Sequence, residues 1–121
     1  MIVAFSVAPS GPAPGQPDPG QGVPTDSVHD AVAAAVRVVR ESGLPNRTSS
    51  MFTEIEGEWD EVMDVVKRAT EAVGRYGSRV SLVLKADIRP GHTGEITGKV
   101  DRLEKAIAEQ AGEAGQAGAS Q

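Results

Sequence analysis

Six carboxylates crowd the stretch TEIEGEWDEVMD: Glu54, Glu56, Glu58, Asp60, Glu61 and Asp64. Acids at this density suit a divalent cation or general acid–base work, or they mark an acidic edge of the fold. Their spacing separates them. The stretch lacks the DxDxDG pattern of an EF-hand loop. Glu58, Asp60 and Glu61 fall where a helix is predicted to begin, and free N–H groups there favour acids without any ligand. Asp64, a turn further on, is expected on a solvated helix face. Glu54 and Glu56 stand apart. They precede Gly57 at a spacing of two, so a regular strand places both on one sheet face. Like charges so placed repel. That is tolerable on a solvated edge and useful around a cationic ligand, and both readings stay open.

Other chemistry has less support. His29 and His92 are the only histidines, and neither has a partner at helical spacing, so both read as surface groups. The chain has no cysteine and no GxSxG elbow, which removes thiolate sites and the common nucleophile motif. The turn RPGHTGEITGK, residues 89–99, would gather backbone N–H groups near Arg89, His92 and Lys99, an arrangement that suits a phosphate. It carries no Walker signature, and the plainer reading is a strand-to-helix turn.

Charge and composition exclude further classes. A net charge of −5 disfavours nucleic acid, whose binding needs a basic surface. An RNA-binding sheet would display aromatics, and only Phe5 and Phe52 are available. No apolar run approaches the roughly 20 residues that span a bilayer. The opening MIVAFSVAPSG lacks the basic segment of a secretory signal. The expectation is a cytoplasmic protein with neither nucleic-acid nor membrane partners.

The elements that position these residues can be read along the chain. A length of 121 residues suits one domain, taken as 1–109, with a flexible Ala/Gly/Gln tail over 110–121. Residues 2–8 are apolar and stopped by Pro9, which predicts a strand. Residues 9–24 hold so many prolines and glycines that a solvated loop is expected. A helix follows over 26–42, with Val28, Val32, Ala35, Val36 and Val39 as its stripe. Residues 46–56 read as a strand pair or a bent strand. A second helix starts near Trp59, expected as the anchor of its buried face, with Val62, Met63, Val66, Ala69, Thr70 and Val73, and Gly77 closes it. SRVSLVLKADIRP alternates as a strand. A last helix carries Ile96, Val100, Leu103 and Ile107. This order, βαββαβ plus a C-terminal helix, predicts an α+β ferredoxin-like sandwich with an antiparallel four-stranded sheet. Two helices cover one sheet face. The other, bearing Ala4, Ser6, Ala8, Ser81, Val83, Lys85 and Asp87, is left to water, a ligand or a second subunit, which favours a homodimer.

Several of these stretches also resemble a known family. SSMFTEIEGEWDEVM is similar to its pattern of a small residue (often Pro), Met, a small residue, Thr, two variable positions, Glu-Gly-Glu and an aromatic. IVAFSVAP, RESGL, LKADIR and GKV add to the likeness, which spans residues 2–108 and is strongest over 50–61. The family is that of the small thiamine-binding proteins. The resemblance implies a ferredoxin-like homo-oligomer, a dimer or dimer of dimers, that binds thiamine or its hydroxymethylpyrimidine part, performs no chemistry and needs no cofactor. Met51, Thr53, Glu56 and Gly57 match the recurrent block, while Lys85 and Asp87 match the strand-end pattern. Phe52 stands where many relatives have a small residue, and the loop after Pro9 is longer than theirs.

A thiamine pocket would need a carboxylate for the thiazolium, polar groups for the pyrimidine edge and an apolar wall. Under this resemblance Glu54, Glu56 and Asp87 supply the first. Ser6, Ser50 and Thr53 supply the second, and Met51 and Phe52 the third. Thr53 and Glu56 have opposite strand parity, so both reach one pocket only through a bend or a second subunit. The alternative expectation is a structural or regulatory homo-oligomer with no small-molecule pocket.

Overall fold

Val3, Phe5 and Val7 alternate with Ile2, Ala4 and Ser6, so the first segment has one apolar and one mixed face and forms β1 (Ile2–Ser10). The computed structural model describes residues 1–15 and 25–119, with side chains for 1–15 and 28–112. β1 lies between β3 (Thr53–Glu56) and β4 (Arg79–Asp87), and β2 (Asn46–Thr48) borders β3. The sheet order is β2-β3-β1-β4, and all pairs are antiparallel. α1 (Thr25–Glu41) and α2 (Trp59–Val73) pack on one face, and α3 (Glu95–Ala119) follows β4. Two interleaved β-α-β units of this kind make the expected α+β ferredoxin-like fold.

The core lies between the sheet and the first two helices. Val3, Phe5, Val7 and Ile55 meet Ala31, Ala35 and Val39 of α1, and Val62, Val65, Val66, Ala69 and Val73 of α2. Several sequence expectations are corrected here. The buried stripe of α1 is Ala31, Ala35 and Val39, and Val32 is exposed because the helix turns its small residues to the crowded sheet. Trp59 is 54% exposed. It shares the stripe of Val62, Val66, Ala69 and Val73, but it occupies the helix's first position and overhangs the layer that the stripe covers. Val65 is buried in place of Met63 and Thr70, which are half-buried, and the Thr70 hydroxyl donates to the Val66 carbonyl at 2.8 Å.

Element ends also move. β1 continues through Pro9 to Ser10. Its pairing with β3 ends at Phe5, so Pro9 lies where the strand has a neighbour on one side only and a missing N–H is tolerated. α2 stops at Val73 with Gly74 as its C-cap, ahead of Gly77. Gly77 is needed for close approach instead, since a Cβ there would lie 2.6 Å from the Ser10 carbonyl oxygen. The expected proline-rich loop falls largely on residues 16–24, and the end of the expected tail on 120–121, outside the described residues. α3 is helical through Ala119.

The second sheet face is not free of helix, contrary to the expectation. Strand pairing puts Ile2, Ala4, Ser6, Ala8, Glu54, Glu56, Val83, Lys85 and Asp87 on it. The first turns of α3 lie against one end, where Glu95 and Ile96 are buried. The rest of the helix leaves Leu103 and Ile107 exposed.

Candidate functional site

The densest part of the sequence motif builds a hairpin loop. Thr48 pairs with Thr53, leaving Ser49–Phe52 to turn the chain. Ser49 fixes the turn: its N–H and its hydroxyl both donate to the Phe52 carbonyl, at 2.9 and 3.0 Å, and the Phe52 N–H donates to its Oγ at 3.2 Å. Because β1 runs past the point where β3 begins, a gap opens beside Val7. α1 offers only Val32, Ala35 and Val36 to fill it. The result is a cavity of about 150 Å³, lined by Phe5, Ser6 and Val7 of β1, by those α1 residues and by Thr48–Thr53. Among the described residues, no charged side chain lines it. Thr53 is buried at its base, Phe52 is partly exposed, and Met51 is mostly exposed.

The structure thus gathers Ser6, Ser50, Met51, Phe52 and Thr53, five of the nine predicted site residues. Ser6 borders the cavity along the strand itself, since strand alternation gives its side chain to the open face with Ala4 and Ala8. The other four lie across the sheet. Glu54, Lys85 and Asp87 line a second cavity of about 190 Å³, floored by Ile2 and Ala4 and roofed by Ile96, Lys99 and Val100 of α3.

Glu56 shares the open face with Glu54, as strand spacing predicts, but its carboxylate is engaged. Its Oε2 accepts the Glu95 N–H at 2.8 Å and its Oε1 accepts the Ile96 N–H at 3.4 Å. The N-terminus of α3, which the sequence suggested for a phosphate, therefore holds the protein's own anion. No side-chain pattern announces this cap, because its partner groups are backbone N–H groups on a distant segment.

The other charges around the start of α3 pair with one another. Lys99 donates to Asp87 and Arg102 donates to Glu95 at 2.7 Å, with His92 and Arg89 near Glu95 at 3.7 and 4.0 Å. The hydrogen bond and the charge of Lys99 hold the Asp87 carboxyl below its ordinary range, against the opposing effect of desolvation. Arg102 does the same for Glu95, again mainly through its hydrogen bond. Glu58 is the N-cap residue of α2 but makes no side-chain cap bond, while Asp60 and Glu61 occupy that helix's first turn. Asp64 pairs with Arg68 at 3.0 Å on the exposed face. Among the described residues, no group of three or more His, Cys, Asp or Glu side chains could hold a metal ion, and no helix is long and apolar enough to cross a membrane.

Fold and site together define a ferredoxin-like domain with a small uncharged cavity at a hairpin loop and a charged cavity across the sheet. The sequence pattern of the thiamine-binding proteins matches residues 19–104, and the chain belongs to that family. It is 49% identical to a UPF0045 protein of Mycobacterium bovis over 106 residues, covering 87% of this chain and 92% of that one. A domain of unknown function from Bacillus cereus has a similar structure, with a TM-score of 0.60, 32% identity and coverage of 78% and 82%. A protein proposed for thiamine biosynthesis or salvage in Thermotoga maritima also aligns, with a TM-score of 0.60, 25% identity and coverage of 85% and 99%.

Proposed function

We propose that this protein binds thiamine or a related aminopyrimidine, without catalysis, by taking the pyrimidine ring into the cavity at the Ser49–Phe52 loop. The observation that carries this reading is the makeup of that cavity within a chain of the thiamine-binding family. It is uncharged, it holds hydroxyl-bearing residues at its base and rim, and it has apolar and aromatic walls. A neutral ring with donors and acceptors suits it, and a buried thiazolium does not. At about 150 Å³ it falls below the ~300–1,000 Å³ usual for small-molecule pockets, so it suits one ring. The thiazolium of thiamine then stays at the mouth, where the face of Phe52 attracts a cation.

Calorimetry with thiamine, hydroxymethylpyrimidine and the thiamine phosphates tests the reading. Saturable binding of thiamine and hydroxymethylpyrimidine, weakened about tenfold by Thr53→Val, is the expected result. No heat and no thermal shift with any of these ligands overturns it.

A homo-oligomer, a dimer or dimer of dimers, is part of the same proposal. It is supported by the outer edge of β4, unpaired among the described residues, by exposed Leu82 and Val83 on that strand, and by exposed Leu103 and Ile107 on α3. Sedimentation at several concentrations reads the assembly directly, and a monomer throughout would refute it. An assembled protein that binds none of the ligands would instead favour a purely structural or regulatory role.

A further inference from the structure

We infer that the cavity between α3 and the open sheet face binds a small zwitterion whose two charges are separated by a short apolar spacer. Glu54 and Lys85 are both register partners of Ala4, so the three form one cross-strand row on the same face. Their strands flank β1, which sets their backbones about 9–10 Å apart, twice the usual strand spacing. Ala4 leaves the space between them unfilled. Ile2 floors the cavity beside it, and Ile96 and Val100 close it from above.

The charge pattern identifies the ligand class. Asp87 is taken by Lys99, and Glu95 by Arg102. Glu54 and Lys85 make no ion pair with any described residue. The charge of Lys85 is the smallest of the influences on Asp87. The cavity therefore presents a carboxylate and an ammonium outside any ion pair on either side of an alanine-sized gap, with Arg47, the register partner of Glu54 on β2, beyond the carboxylate. A ligand with a single charge satisfies one of them and strips water from the other without replacing it. A ligand with a cationic end for Glu54, an anionic end for Lys85 and methylenes over Ala4 satisfies both. The roof is held in place for this, since Glu56 caps the start of α3 and Lys99 ties its second turn to Asp87.

This site lies across the sheet from the pyrimidine cavity and does not depend on it. The probes are the ω-amino acids γ-aminobutyrate, δ-aminovalerate and ε-aminocaproate, with cadaverine and glutarate as singly signed controls. Amide chemical shifts of the full chain are followed during titration. We expect saturable shifts centred on Ala4, Glu54, Lys85 and Val100 for at least one amino acid, and none for the controls. Glu54→Gln and Lys85→Gln should each weaken binding by about tenfold or more. Ala4→Leu, which fills the gap and keeps both charges, should abolish it while the spectrum stays folded. Saturating thiamine should leave the amino-acid affinity unchanged, so the two sites succeed or fail separately. Absence of saturable shifts in the unmodified protein, or shifts indifferent to both charge substitutions, would overturn the proposal.

Discussion

The carboxylate of Glu56 accepts the backbone N–H of Glu95 at 2.8 Å, joining the last residue of β3 to the first residue of α3. Glu56 is only 6% exposed, so its charge is stabilised chiefly by the N–H groups it receives and by the positive end of the helix. Glu56→Ala should cost roughly 1–2 kcal/mol, as removal of a good helix cap does. Urea unfolding measures the loss. Hydrogen exchange at the Glu95 and Ile96 amides should accelerate in the variant, and unchanged exchange there would show that the cap is idle.

Trp59 and Ile55 test the placement of the core. Ile55 is fully buried and Trp59 overhangs. Ile55→Ala should therefore cost about 2–5 kcal/mol, and Trp59→Ser under about 1 kcal/mol. Denaturation midpoints that ranked the two in the opposite order would mean that the aromatic, and not the aliphatic, anchors the layer.

Gly77→Ala carries a different cost. The new Cβ would meet the Ser10 oxygen at 2.6 Å and the Ser10 nitrogen at 2.9 Å, both backbone atoms that cannot swing aside. The expected loss is about 1–3 kcal/mol, the range for forced overpacking. Gly91→Ala, by contrast, meets no atom within 4 Å but strains a backbone at φ 79°. Thermal melts of the two variants separate collision from backbone strain.

Acid should loosen α3 in particular. Asp87 and Glu95 both have carboxyls held below their ordinary range by Lys99 and Arg102. For a carboxyl lowered on folding, the stabilisation is fully present above the unfolded value and is lost as pH falls through the folded one. Stability should thus decline below about pH 4, where free carboxylates titrate. Lys99→Met combined with Arg102→Met should flatten that decline. Urea midpoints measured from neutral to acid pH would show it, and an unchanged slope in the double variant would contradict it.

Strand alternation made some of this legible in advance. The common face of Glu54 and Glu56 and the opposite parity of Thr53 follow from a period of two, and they hold. The order of elements fixed the sheet for the same local reason. Relations formed at a distance were not legible. Thr53 and Glu54 are neighbours in sequence, yet the sheet sends one to the cavity at the Ser49–Phe52 loop and the other to the cavity beneath α3. The destination of Glu56 is hidden because backbone N–H groups leave no trace in residue type. Trp59 misled because helical spacing records which stripe a residue joins, and not whether anything lies beneath it.

The central position of β1 has a further consequence, for the order in which the chain can fold. Ile2 pairs with Glu56 on one side and with Asp87 on the other. β1 is made before both of its partners and waits for them, and its final neighbour comes only after α2 is complete. Closing such long loops before any sheet pairing rewards them slows folding. Until β4 arrives, Val3, Phe5 and Val7 have half a sheet to bury into, which makes the interval before Arg79–Asp87 emerges the one in which this chain is most exposed to aggregation.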